Sequence, residues 1–174
     1  MAFKEWAAIC RALATGRQDV ILRKGGIDDP DGGFRPEFGS FLLLPTFLHQ
    51  SPESLVPDAR DLLAGIDADR PPQGCIELRH AAHVRESWRI DRLPDLATFR
   101  SRHVWSDAVV AERFHRWREE LHVLVVDVTP LPSPIVLPWD ESYGGCRSWV
   151  ALPEDAAGGD PGCVSGRRGP RRRG

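Results

Sequence analysis

The sequence lacks the signatures that assign many enzymes directly. It has no Walker loop, no G-x-G-x-x-G, no H-E-x-x-H and no G-x-S-x-G. Its four cysteines, Cys10, Cys75, Cys146 and Cys163, are far apart, and no C-x-x-C pair supplies zinc-ligand spacing. No apolar run approaches the ~20 residues that a membrane-spanning helix requires. The first residues do not read as a secretory leader, because Lys4, Glu5 and Arg11 interrupt the apolar ones. These absences leave enzymes with dispersed sites open. They predict a cytoplasmic protein with free, mostly buried thiols, and they imply no cofactor, no metal and no membrane partner.

What is present suits one soluble domain. The chain has 174 residues, 41% of them apolar, with six tryptophans and seven phenylalanines but one tyrosine. Each large aromatic can bury up to ~250 Å². The net charge of −2 hides an asymmetry. Arg167, Arg168, Arg171, Arg172 and Arg173 crowd the last residues without an acid, so the rest of the chain is distinctly acidic. The body as a whole therefore does not attract nucleic acid. Binding of a polyanion needs a local basic patch or the tail.

Periodicity predicts the elements. Phe3, Trp6, Ala7, Cys10, Leu13 and Ala14 recur at helical steps, predicting a helix over 3–15 that Gly16 ends in a left-handed cap. Val20-Ile21-Leu22 predicts a strand covered on both faces. Residues 28–40 read as an exposed loop, and 41–48 as a second strand bent or ended at Pro45. A helix is expected to start at Ser51-Pro52 or, given Pro57, to run only over 57–64, followed by a polar connection over 65–73. Residues 75–90 alternate, with Ile76, Leu78, His80, Ala82, Val84, Trp88 and Ile90 on one face. That run exceeds an ordinary strand of ~5–6 residues and implies a bend, or two strands in line. Helices are expected over 93–100 and 106–118, the latter capped by Ser106. A strand follows over 121–129. Prolines limit 130–138 to an edge or a bend. A last strand is expected over 146–152.

The fold class is therefore α+β over residues 1–152. A small mixed or antiparallel sheet, preferably a partly closed β-barrel and alternatively an open mixed sheet, is flanked by three to four helices. Residues 153–174, rich in Gly, Pro and Arg, read as a disordered tail.

Six segments occur in an order that carries a resemblance. They are Lys4-Glu5-Trp6, Ile21 to Ile27, Phe41 to Gln50, Arg102-His103-Val104-Trp105, Arg113-Phe114 and Tyr143 to Val150. Together they resemble the prokaryotic family called domain of unknown function 1802, over roughly residues 3–152. The resemblance implies no established activity. It implies an association of some members with restriction-type endonuclease domains, and hence a setting in DNA defence.

Several residue groups can carry chemistry. Arg23 and Lys24 before Gly25-Gly26 offer cations and backbone N–H groups to a phosphate, or else form a solvated strand end with a tight turn. His49 and Gln50 after Thr46 can meet a base edge or move a proton, or else fix the loop and cap the next helix. Arg102, His103 and Trp105, with Arg113 beyond, can stack a base and hold its phosphate. The same arginine can instead make a structural ion pair, and the tryptophan can belong to the core. Tyr143 and Arg147 flank Gly144-Gly145-Cys146, where glycines allow close ligand approach and Arg147 can depress the thiol pKa of a nucleophilic Cys146. A turn followed by a strand explains the same segment without function. Glu77-Leu78-Arg79, with Asp61 or Asp69 upstream, is a poor match to a nuclease metal site, because arginine cannot surrender a proton as lysine can. His80 and His83 fall on opposite strand faces and do not suit one metal.

Three classes of function follow. A recognition module for nucleic acid or a nucleotide, linked to DNA restriction, leads. An enzyme acting on nucleic acid or nucleotides, such as a metal-dependent nuclease, and a protein-interaction subunit without catalysis are the alternatives.

Overall fold

A computed structural model describes residues 1–24, 39–145, 148–154 and 156. The expected turn at Gly25-Gly26, most of the loop over 28–40, Cys146, Arg147 and the Arg-rich tail lie outside the described residues. The elements are β1 (Ala2–Trp6), α1 (Ala7–Ala14), β2 (Val20–Arg23), β3 (Ser40–Thr46), β4 (Cys75–Ile90), α2 (Asp107–His115), β5 (Leu121–Pro138) and β6 (Trp149–Val150). Short 3₁₀ segments fill the connections, notably Pro57–Leu63 and Leu93–Arg102. The strands form one six-stranded sheet in the order β2-β5-β4-β3-β1-β6. Among the described residues only the β1–β3 pair is parallel. The class is α+β with a mixed sheet that does not close.

The first helix begins later than its apolar spacing suggests. Residues 2–6 are a strand, pairing with β3 on one side and β6 on the other. Ala2, Phe3, Lys4 and Glu5 are all buried, on both faces of the sheet. Partners about forty residues away thus override a local helical pattern. Gly16 ends α1 with φ +71°, as expected.

The run over 75–90 is one bent strand of 16 residues, with register shifts against β5 between Leu78 and His80 and between Val84 and Glu86. These bulges correct the expectation of a single apolar face. Ile76 and Leu78 join one cluster, with Leu44, Leu137 and Val150, whereas Ala82 joins the main core under α1. A bulge changes which alternate residues point inward. In β5 the prolines lie beyond Val125, the last partner of β2, and among the described residues the strand that pairs with that half is β4. An edge tolerates the missing N–H donors.

The sheet curls until its two ends approach. Arg23 at the end of β2 reaches across to β1 and β6, donating from Nη2 to the Lys4 carbonyl at 2.9 Å and from Nε to Ser148 Oγ at 3.1 Å. Its guanidinium also lies over the Phe3 ring, 4.6 Å from the centroid. A side chain bridges the gap that backbone pairing leaves open.

The expectation of free thiols needs one correction. Cys10 is free and buried, but Cys75 is disulfide-bonded. Wide sequence spacing does not prevent pairing, because the fold decides which sulfurs meet. Among the described residues no helix is long and apolar enough to cross a membrane.

Candidate functional site

A cleft of about 1050 Å³ opens where the carboxyl ends of β1 and β3 meet the start of β4 and the turn at Tyr143–Gly145. The carboxyl ends of parallel strands are a recurrent place for ligands in sheets with helices. Its inner wall is Lys4, Glu5 and Trp6 of β1, Arg23 of β2 and Arg113 of α2. Phe47, Leu48, His49 and Trp139 line it further out.

Three charged groups dominate the inner wall. Glu5 is only 3% exposed. Its Oε1 accepts the Trp6 N–H at 2.9 Å, while its Oε2 is buried without a hydrogen bond among the described residues. Arg23 Nη1 stands 3.7 Å from that Oε2, an ion pair too long for a hydrogen bond. Arg113 is half-buried, its guanidinium stacked 3.8 Å from the Trp105 ring centroid. It donates to the Leu22 carbonyl at 3.4 Å. Loss of hydration pulls the Arg113 pKa below its ordinary value, partly opposed by Glu5. Two guanidiniums therefore line the wall with one carboxylate, which pairs with Arg23, and the inner wall favours anionic or acceptor-rich groups.

The cations of the opposite wall are balanced. Arg11 pairs with Asp69 at 2.6 Å and Arg79 with Glu77 at 2.8 Å. Arg70 pairs with Asp67 at 2.7 Å and lies over Phe47. Lys4 Nζ donates to the carbonyls of Tyr143, Gly144 and Gly145 at 3.0, 2.9 and 2.6 Å, which pins that turn as the cleft's side. The Cys10 thiol faces the cleft with its pKa raised by burial and by the nearby Glu5 carboxylate, the reverse of an activated nucleophile.

The residues singled out in the sequence divide between the cleft and the scaffold. Arg23, His49, Arg113 and Tyr143 line the cleft. His49 is exposed at its mouth with φ +60°, and Tyr143 is buried with its ring 6.1 Å from that of Trp139. Gln50 caps α1, accepting the Ala8 N–H at 2.8 Å. Lys24 points elsewhere and gathers the carbonyls of Phe114, Arg118 and Glu120 at the end of α2. Arg102 is held by Asp19 through two nitrogens, at 3.0 and 2.7 Å. His103 is buried and accepts from Arg100 Nη1 at 3.1 Å, its pKa lowered by burial to about 4. Trp105 is fully buried, so its ring serves the core and carries Arg113 on one face. Ser106 stands at the start of α2, but its hydroxyl makes no capping bond. Among the described residues no three His, Cys, Asp or Glu side chains are grouped to hold a metal.

Glu5 escapes a reading of individual residues, because an acid within a helical pattern reads as solvated, and Trp6 reads there as part of the apolar stripe rather than as a cleft residue. The one signal was their place in the first motif block, Lys4-Glu5-Trp6.

A family model matches residues 2–166, described as a domain of unknown function (DUF1802). The chain belongs to this family. The match covers every strand and helix described above and extends beyond residue 152. No curated protein matches the chain. Among solved structures, the fold is similar to the ASCH protein of Zymomonas mobilis. A single-substitution form of it aligns over 90% of this chain and 90% of its own, at 12% identity and a TM-score of 0.51. Another structure of that ASCH protein covers 74% of this chain and 68% of its own, at 12% identity and a TM-score of 0.48. At such identities the likeness is one of fold.

Proposed function

We propose that this DUF1802 domain is a recognition module for a nucleotide or for nucleic acid, and that the ligand enters the cleft between Arg23, Arg113 and Trp6. The observation that carries the proposal is the inner wall, where two guanidiniums face the cleft against one buried carboxylate. Aromatic side chains, Trp6, Phe47 and Trp139, lie around the same space. Cations beside aromatic faces suit a phosphorylated nucleoside, because one holds phosphate or base edges while the other stacks the ring. The volume of about 1050 Å³ is at the upper end of small-ligand sites and admits a nucleotide with room for a neighbour. In the DNA-restriction setting that the family resemblance implies, such a module holds nucleic acid while a partner supplies catalysis. A prokaryotic, cytoplasmic protein is part of the same proposal.

The test uses fluorescence anisotropy of the full chain with labelled single- and double-stranded DNA and RNA, with free nucleotides as competitors. Its arginines at 167, 168, 171, 172 and 173 are changed to glutamine to silence tail binding. Binding is expected to persist near ~150 mM salt and to weaken about tenfold or more in Arg113→Gln, as for a charge-assisted contact. Loss of all binding once the tail is neutralised, or indifference to Arg113→Gln, contradicts the proposal.

A further inference from the structure

The inner wall holds a donor and an acceptor that are both fixed and that, among the described residues, form an ion pair without a hydrogen bond. Glu5 Oε1 is anchored by the Trp6 N–H, which leaves Oε2 as the acceptor without a hydrogen bond among the described residues. Arg23 spends Nε on Ser148 and Nη2 on the Lys4 carbonyl, which leaves Nη1. The two atoms stand side by side, 3.7 Å apart. They are too far apart to satisfy each other, and each is held by backbone or a neighbouring strand. A buried carboxylate oxygen without a donor is costly, and a ligand that supplies one recovers the cost.

Resting on the nucleotide reading of the cleft, we infer that the Glu5–Arg23 pair reads the edge of a guanine base. A base edge presents donors beside acceptors on adjacent atoms, which is the complement of this pair. Guanine fits the charge pattern of the wall best. Its O6 and N7 accept from guanidiniums, the commonest specific arginine contact to a base, and both Arg23 and Arg113 face the cleft. Its N1–H and N2–H₂ donate to a carboxylate, and Glu5 is the buried acceptor beside them. Adenine offers an N6 donor beside N7 but no O6, cytosine offers an N4 donor beside the N3 acceptor but no N7, and uracil offers its ring N–H and carbonyls but no N7, so each leaves one of the two guanidiniums without a second acceptor. Half-buried Trp6 borders the same space as a ring surface. Glu5 is thus a specificity-determining residue, whose Oε2 a base reaches by displacing the side chains that cover it.

The test is calorimetric titration of the full chain with GMP, AMP, CMP and UMP. GMP is expected to bind about tenfold or more tightly than the others, the discrimination that a good pair of base contacts provides. In Glu5→Gln the Trp6 N–H still claims the side-chain oxygen, so an NH₂ donor replaces Oε2. GMP then loses its advantage while AMP affinity is held or improved. Should Glu5→Gln fail to fold, 7-deaza-GMP and IMP on the unaltered protein replace it, and both are expected to bind more weakly than GMP. Equal affinities for the four nucleotides, or full binding of 7-deaza-GMP and IMP, overturn the guanine assignment and leave the nucleotide reading standing. Absence of binding by all four and by every oligonucleotide removes both.

Discussion

Trp105→Ala is expected to cost about 4 kcal/mol of stability, the loss typical when a large core aromatic is truncated. Trp105 is fully buried and joins three parts of the chain. Its ring meets Trp6 edge-on with centroids 4.9 Å apart and carries the Arg113 guanidinium on its face. Its backbone bridges to Leu55, and the Ser106 N–H donates to the Ser54 carbonyl at 2.9 Å, which ties the 52–63 region to the core. Set against the ~5–15 kcal/mol that stabilises a typical domain, such a loss is a large fraction. A chain of this length is expected to melt about 10 °C lower, which calorimetry or urea titration measures. Trp105→Phe, which keeps an aromatic beneath Arg113, is expected to lose less than half as much. A loss of under ~1 kcal/mol in the alanine form contradicts the placement of this ring at the centre of the core.

His103, two residues earlier, is expected to make the fold sensitive to acid. Burial removes hydration from the imidazolium, and Arg100 adds repulsion, so the pKa falls to about 4. The unfolded chain's imidazole titrates near its ordinary value of about 6.5. Between those values the unfolded state binds a proton that the folded state refuses. Stability therefore falls as pH drops through this window and is unaffected above it. The full effect is about 3 kcal/mol, since one unit corresponds to ~1.4 kcal/mol. Urea midpoints measured from pH 7.5 to pH 4 in the natural sequence and in His103→Gln separate this contribution from that of the carboxylates. The difference between the two proteins is expected to shrink or change sign as pH falls. Parallel pH profiles contradict a buried, neutral imidazole.

These two residues also show what a sequence discloses. The ordered block Arg102-His103-Val104-Trp105 marks a conspicuous place, but its residue types alone do not separate ligand contact from scaffold. The pairing of Arg102 with Asp19, 83 residues away, and the burial of Trp105 decide for scaffold. The strand at Val20–Arg23, the long bent strand over 75–90 and the proline-limited edge after residue 129 were legible, because their signals are local. β1 was not, because its pairing with β3 is remote and its apolar spacing also fits a helix. With β1 misread, nothing local marked Glu5 as a buried carboxylate. The cleft depends on the same remote geometry. Arg23 was a visible candidate, but only the curl of the sheet sets it beside Glu5 and near the ends of β1 and β3. Lys24, adjacent in sequence, is turned to the end of α2 instead.

The proposed function places the ligand in the cleft rather than on the basic tail. The most direct test is photocrosslinking of the full chain to a single-stranded oligonucleotide carrying a 4-thio-base, followed by peptide mapping of the adducts. Adducts at Trp6, Phe47 or Tyr143, displaced by free nucleotide, are the expected result. Adducts confined to residues 164–174, with none on the cleft, would contradict it.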